Sequence, residues 1–332
     1  MAVAVGSLPY FAVRKLNMTR LALLALITLT QVNVMAVPIP KGPTPSFVVA
    51  STTEGDVLKL DSSGKEVGRL AHKDSAITMV RLSPDHSRVL IAARSQPYKT
   101  TATMFLREWK TDDVIELPEA QHLAACFWLP DGKSVAASGL DIALGNQPQL
   151  FRHQCWKSWS VESATEKETK IELDGEYRIV GLTPDAKQYI AARTFDPIPV
   201  GNGVLSPQIE THLVDCKTLK KTLVLKPELE VAPVAILPDG KNWIVTKVSG
   251  ADQRRRFGLL NIKDDTFTEL PNQITPYDNA VFSPDGKQIL VSQRVVSNDG
   301  KATGVLILID VDGMKARKLY DSSSVITSID WR

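Results

Sequence analysis

A turn signature repeated five times, the lack of any long amphipathic helical pattern, and matching partial repeats at the two ends predict an all-β fold. The architecture these observations specify is a six-bladed β-propeller of four-stranded antiparallel blades, closed by pairing N-terminal strands with the C-terminal strand.

The signature is an apolar strand, Pro-Asp, a short polar or basic step and a second apolar strand. Its copies are Val80-Arg81-Leu82-Ser83-Pro84-Asp85-His86, Phe127-Trp128-Leu129-Pro130-Asp131-Gly132-Lys133, Val180-Gly181-Leu182-Thr183-Pro184-Asp185-Ala186-Lys187, Ala235-Ile236-Leu237-Pro238-Asp239-Gly240-Lys241 and Val281-Phe282-Ser283-Pro284-Asp285-Gly286-Lys287. Successive Pro-Asp pairs are 46, 54, 54 and 46 residues apart. Proline has no N–H for a ladder and ends the first strand. Aspartate accepts from backbone N–H groups further along the turn, and glycine supplies a positive φ. Each copy therefore opens with a hairpin.

Two further strand-like runs follow each hairpin, as in Gly304-Val305-Leu306-Ile307-Leu308-Ile309 and Ala316-Arg317-Lys318-Leu319. Four short strands per repeat make one blade. At the C-terminus, Val325-Ile326-Thr327-Ser328-Ile329-Asp330-Trp331 aligns with Ala76-Ile77-Thr78-Met79-Val80-Arg81-Leu82, an innermost strand. The N-terminal runs, beginning Ser46-Phe47-Val48-Val49-Ala50, read as strands two to four of the same blade. Sharing a blade between the ends covers strand edges that would otherwise template aggregation.

The domain organisation read from the sequence is an export signal over residues 1–36, a Pro-rich leader over 37–45 and one propeller over 46–332. Leu21–Thr30 is apolar and follows Arg14, Lys15 and Arg20, with Val34-Met35-Ala36 as a small-residue cleavage site. A spanning helix needs about 20 apolar residues, more than this run provides. An uncleaved anchor is the rival reading, and Met18 is a second candidate start. Removing 1–36 takes away three basic residues and turns a net charge of +2 into 36 basic against 37 acidic residues. A near-neutral chain with 23% charged and 43% hydrophobic residues is globular, and its charge points to no nucleic-acid partner. Three cysteines exclude a dense disulfide framework, and the single long apolar run excludes a polytopic membrane protein.

Ser283-Pro284-Asp285-Gly286-Lys287 after an apolar strand, and Ile309-Asp310-Val311-Asp312-Gly313-Met314-Lys315-Ala316-Arg317-Lys318-Leu319 before the next, resemble the WD40-like repeats of the TolB family of propellers. The resemblance spans residues 46–332. It implies a six-bladed propeller in the periplasm that acts by binding proteins, without catalysis. TolB also carries an N-terminal α/β domain, for which the stretch between Ala36 and Ser46 has no room.

Asp85, Asp131, Asp185, Asp239 and Asp285 occupy equivalent turns, so they are spread around one rim and are expected to hold turns rather than a metal. No hydrolase, nucleotide-binding or zinc motif occurs, and His72, His86, His122, His153 and His212 lack ligand spacing. No cofactor, metal or catalytic residue is expected. Cys126 reads as a buried apolar residue on an innermost strand, and a Cys155–Cys216 bridge is conceivable in an oxidising compartment. Trp109, Trp156 and Trp159 read as fillers between blades.

The connections between second and third strands share one face, and several are long: Gly139–Pro148, Thr194–Pro207 and Val295–Thr303. The run Ser249–Arg256 reads as a loop carrying Arg254, Arg255 and Arg256, and Arg94, Arg193 and Arg294 recur at the ends of second strands. These six arginines are the candidate ligand-binding residues, since guanidinium groups grip carboxylate or phosphate. A solvated loop and a repeat-level packing role are the plain alternatives.

The favoured function is an exported, non-catalytic, monomeric propeller, periplasmic or secreted, that binds a protein, peptide or cell-envelope component through that face. The alternatives are a hydrolase or lyase with its site at the central channel, and an envelope protein with no defined ligand. Deleting Val325–Arg332 is expected to lower the melting temperature, because it removes the innermost strand of the shared blade. An unchanged melting curve would refute the shared-blade scheme.

Overall fold

A computed structural model describes residues 46–332 apart from 73–75, 97–100, 112, 122, 130, 142–152, 162–165, 169–176, 184–186, 202–203, 238–239, 250–253 and 272–278. The export segment and the leader lie outside the described residues. Among the described residues, twenty-four strands form six four-stranded antiparallel sheets, and the one helical element is a 3-10 turn at Pro227–Leu229.

The first sheet joins the two ends of the chain. Its strands β1 (Phe47–Thr52), β2 (Asp56–Asp61) and β3 (Glu66–Ala71) follow β24 (Ile326–Trp331), in the order β24-β1-β2-β3. The second sheet holds β4 (Ala76–Leu82), β5 (Arg88–Arg94), β6 (Thr101–Glu108) and β7 (Val114–Gln121). The third holds β8 (Leu123–Trp128), β9 (Ser134–Asp141), β10 (His153–Ser160) and β11 (Glu166–Glu168). The fourth holds β12 (Arg178–Leu182), β13 (Gln188–Gly201), β14 (Val204–Asp215) and β15 (Lys221–Leu225). The fifth holds β16 (Val231–Ile236), β17 (Asn242–Ser249), β18 (Arg254–Asn261) and β19 (Thr266–Glu269). The last holds β20 (Ala280–Phe282), β21 (Gln288–Val296), β22 (Ala302–Asp310) and β23 (Ala316–Ser322). Together they are the four-stranded antiparallel blades of a β-propeller.

Apolar side chains pack neighbouring blades face to face. Val49, Val57, Val80, Val89 and Ile91 pack the first sheet on the second, and Met79, Leu90, Cys126 and Trp128 pack the second on the third. Ala125, Phe127, Ile179 and Leu182 join the third and fourth, and Ile190, Ile209, Ile236 and Trp243 the fourth and fifth. Ile244, Phe257, Phe282 and Ile289 join the fifth and last. Leu58, Leu60, Leu290, Leu308 and Trp331 return the last sheet to the first. Burying each such aliphatic side chain is worth about 1.5–3 kcal/mol.

The Pro-Asp turns are built as their chemistry requires. Gly132, Gly240 and Gly286 adopt φ of 63°, 70° and 71°, a region open to glycine at no steric cost. His86 stands at the same place in the first copy, with φ 62°. On the outer rim Gly64, at φ 88°, lies where a Cβ would collide with the carbonyl of Leu319.

The innermost strand of each blade has only one sheet partner, so its other edge needs hydrogen bonds from elsewhere. Neighbouring blades provide them through side chains. Ser328 Oγ and Asp330 Oδ2 of β24 accept from Val80 N–H at 3.2 Å and Leu82 N–H at 2.7 Å of β4. The Arg81 guanidinium donates to the carbonyl of Cys126 at 3.2 Å, and Trp128 Nε1 donates to that of Arg81 at 3.0 Å. Ser138 Oγ donates to the carbonyl of Ile179 at 2.7 Å, and Asn279 Nδ2 to that of Thr327 at 3.1 Å.

Asp330, fully buried, also lies 3.5 Å from the Arg332 guanidinium. Burial pushes the Arg332 guanidinium down and Asp330 opposes it. Replacing Asp330 with alanine strands both the Leu82 amide and a buried cation, so Asp330→Ala is expected to cost about 3–5 kcal/mol. Denaturant unfolding measures it, and a loss below about 1 kcal/mol would show that the carboxylate does not carry the seam.

Candidate ligand-binding face

The two ends of the propeller differ in how their turns are satisfied. At the end bearing the Pro-Asp turns, Asp85 Oδ1 accepts from Ser83 Oγ at 2.6 Å and Ser87 N–H at 3.1 Å. Asp131 Oδ1 accepts from the amides of Lys133 and Ser134, and Asp285 Oδ1 from Ser283 Oγ and Lys287 N–H. Asp61, Asp215 and Asp264 do the same in the turns between third and fourth strands or their equivalents. These carboxylates are turn groups. Asp185 and Asp239 lie outside the described residues.

The opposite end carries the connections between second and third strands, and here the sequence-based expectation needs correction. Thr194–Pro207 is a continuation of the sheet, with β13 and β14 running 14 and 12 residues as one long hairpin. Thr194, Phe195, Ile198, Val204 and Leu205 are strand formers. Pairing skips from Phe195↔Gln208 to Ile198↔Ser206, and this irregularity admits Asp196 and Pro197. Val295–Thr303 likewise shrinks to a turn, because β21 runs to Val296 and β22 starts at Ala302. Most of Gly139–Pro148 lies outside the described residues.

The arginine run is also not a loop. Arg254, Arg255 and Arg256 begin β18, opposite Ser249, Val248 and Lys247. Pairing with the preceding strand outweighs the low strand propensity of three charged residues. Arg256 Nη1 donates to Glu269 Oε1 at 2.7 Å, tying β18 to the blade's outermost strand. This arginine serves the sheet.

Arg94, Arg193 and Arg294 do not occupy one repeat position. Val89, Tyr189 and Ile289 are equivalent, each opposite the last residue of its innermost strand. Arg94 and Arg294 follow five residues later and Arg193 four, so Arg193 projects from the other face of its blade. Lys247 of β17 shares the register of Arg193, a cation the sequence reading missed. Arg94 is half-buried, its Nε has no hydrogen-bond partner among the described residues, and burial pushes its guanidinium down. Arg294 is exposed.

Arg193 sits in a dense polar cluster, whereas the side chains of Arg254 and Arg255 lie outside the described residues. Glu210 of β14 is directly opposite it, and His212 is two residues on, on the same face. Tyr177, just before β12, donates its hydroxyl to the Glu210 carboxylate. The Arg193 guanidinium lies 4.7 Å from the Phe195 ring centre, and Lys221 Nζ lies 4.6 Å from that of Tyr177. The Tyr177 and His212 rings meet edge to face at 5.1 Å. Burial, then the hydrogen bond and charge of Glu210, push the Tyr177 phenol up. Burial also pushes the His212 imidazole down, with Glu210 opposing and Lys221 assisting. His212 Nδ1 lies 3.3 Å from Glu210 Oε1 without hydrogen-bond alignment. Guanidinium, phenol, carboxylate, imidazole and ammonium thus converge at the root of the long hairpin. In the sequence, the only trace of this cluster is the polar alternation Gln208, Glu210, His212.

Among the remaining expectations, Cys126 is buried and its thiol is pushed up to about 11 by burial. Cys216 is in no disulfide bond, so the bridge to Cys155 is not formed. The physical reason is position: Cys155 is near the start of β10, whereas Cys216 follows the end of β14, at the opposite end of the blades. Trp109 fills a gap between the first two sheets, over Gly68 and Lys59. The side chains of Trp156 and Trp159 lie outside the described residues. Among the described residues, no group of three or more His, Cys, Asp or Glu side chains could hold a metal ion.

The turn carboxylates predict an acid response. Their hydrogen bonds, opposed by burial, hold Asp85 and Asp285 below the usual carboxylate range. Their stabilising contribution is therefore present above the unfolded value of about pH 4 and lost as pH falls through the folded value. An Asp85→Asn, Asp285→Asn double variant should lose stability less steeply than wild type from about pH 4 to about pH 2. Superimposable acid-unfolding curves would contradict the assignment.

No family matches the sequence, and no curated protein matches it either. Solved structures match in fold. TolB from Acinetobacter baumannii aligns with a TM-score of 0.60 at 18% identity, over 88% of this chain and 68% of that one. A structure assigned provisionally to TolB, from Agrobacterium tumefaciens, aligns with a TM-score of 0.52 at 13% identity, over 86% and 94%. A chain of a nidogen–laminin complex aligns with a TM-score of 0.55 at 9% identity, over 86% and 98%. The chain folds as a β-propeller similar to that of TolB.

Proposed function

We propose that the protein is an exported, non-catalytic β-propeller, closed as a six-bladed ring, that binds a protein, peptide or cell-envelope ligand through the face bearing the second-to-third-strand hairpins. The observation that carries this reading is the β13–β14 hairpin, longer than any other in the described chain and rooted in the cluster around Arg193. On the opposite face, the described turns are short and their carboxylates are consumed internally. Binding groups concentrate on extended connections held by a rigid scaffold. One of the similar folds is part of a protein–protein complex, and the TolB resemblance supports a periplasmic or secreted location. Closure is supported by the sheet shared between β1 and β24 and by apolar packing of the last sheet on the first. Among the described residues, no helix is long and apolar enough to cross a membrane.

The alternative, a propeller enzyme, has one observation in its favour, the approach of Tyr177 and His212 to Glu210. These groups belong to the segment before the first strand and to the third strand of one blade, away from a site ringed by all innermost strands.

The test is co-purification of mature protein with envelope extract, comparing wild type with Arg193→Glu. Losing a charge-assisted hydrogen bond costs about 1.5–3 kcal/mol, or roughly tenfold to a hundredfold in affinity. The variant should therefore lose its partner with its circular dichroism unchanged, whereas Asp61→Asn on the opposite end should retain it. Equal capture by Arg193→Glu would remove this face from consideration.

A further inference from the structure

One histidine packs against the end of the pairing of β1 with β24. Phe47 and Arg332 exchange both backbone hydrogen bonds, Phe47 N–H to the Arg332 carbonyl at 2.6 Å and Arg332 N–H to the Phe47 carbonyl at 3.0 Å. The His86 imidazole packs edge to face on the Phe47 ring, with centres 5.3 Å apart. The His86 carbonyl accepts from Lys59 Nζ at 2.7 Å, and the same ammonium lies 4.5 Å from the Phe47 ring centre. His86 is thus wedged between the Pro-Asp turn of one blade and the terminal-strand pairing of the next.

Two features set this residue apart. It adopts the left-handed conformation that Gly132, Gly240 and Gly286 adopt in other copies of the turn, at a steric cost those glycines avoid. It is also buried, with Nε2 lacking a hydrogen-bond partner among the described residues. The charged groups acting on the ring are Lys59 from β2, Asp85 from its own turn, and Asp330 and Arg332 from the C-terminal strand and its end. The two cations disfavour a proton on the ring and the two carboxylates favour one.

We propose that His86 is a proton-sensitive latch on the terminal-strand seam, holding β1 against β24 when neutral and loosening that pairing when protonated. An imidazolium in this position carries a buried N–H without an acceptor, close to two cations, and is relieved by turning out to solvent. That movement takes the ring off Phe47, whose amide and carbonyl close the seam. Burial first, then Lys59 and Arg332, against Asp85 and Asp330, push the imidazole down. A histidine more easily protonated when released than when docked favours the released state as pH falls.

Hydrogen exchange of the Phe47 and Arg332 amides, corrected for intrinsic rates, measures the seam directly. Between about pH 7.5 and about pH 5.5 the wild-type seam should lose protection by up to roughly tenfold, the limit for a histidine ordinarily titrating near pH 6.5. The Val245 and Leu260 amides, in the fifth sheet, report any general loosening through His72 or His212. His86→Gly places at this turn the residue found in three other copies, and should keep the fold while abolishing the extra pH response of the seam. His86→Asn, which also tolerates the left-handed conformation, provides the same test should the glycine variant fail to fold. A seam no more pH-sensitive than the fifth sheet, or an equal response in the variants, would overturn the latch.

Discussion

The unpaired edge of each innermost strand is the constraint on which the rest of the structure depends. A sheet blade standing radially has an inner edge that no further strand covers, and bare backbone there must find partners. The partners are side chains of the adjoining blade: Ser328 and Asp330 reaching to β4, Arg81 and Trp128 exchanging bonds between β4 and β8, and Asn279 reaching to β24. These links lock neighbouring blades in register along the axis. They also explain why an aspartate with no exposed surface is retained in an apolar core.

The same repeat that builds the blades makes the two ends of the propeller unequal. At one end the Pro-Asp turns recur, and the aspartates of the described ones, Asp85, Asp131 and Asp285, are consumed by hydroxyl and amide donors two or three residues away. Where glycine is replaced by His86, the turn acquires a titratable wedge against the seam of the terminal strands. At the other end the hairpins vary in length, and the longest collects Tyr177, Arg193, Glu210, His212 and Lys221 at its root. Repeated turn chemistry serves assembly at one end, whereas the hairpins of the other end differ in length.

The legibility of these features in the sequence followed the range of the interactions involved. The Pro-Asp turns, the four strands per repeat and the shared blade depend on local propensity and period, and all are visible in the residues. The six arginines were a harder matter. Arg254, Arg255 and Arg256 read as a loop because three adjacent charges argue against a strand, yet pairing with Lys247, Val248 and Ser249 prevails. Arg193 looked equivalent to Arg94 and Arg294, but a one-residue offset sends it to the opposite face of its blade.

By itself, then, the sequence determined an all-β chain of Pro-Asp repeats whose first and last strands belong to one blade. Turn chemistry and strand alternation are properties of a few neighbouring residues, and they survive without knowledge of the whole. Tertiary structure alone decided that Glu210 and His212 meet Tyr177 across three strands, and that Cys155 and Cys216 sit at opposite ends of their blades. It also decided that His86 rests on Phe47, 39 residues earlier in the chain. Such meetings depend on strand register and on which face each side chain leaves from, and a shift of one residue would undo them.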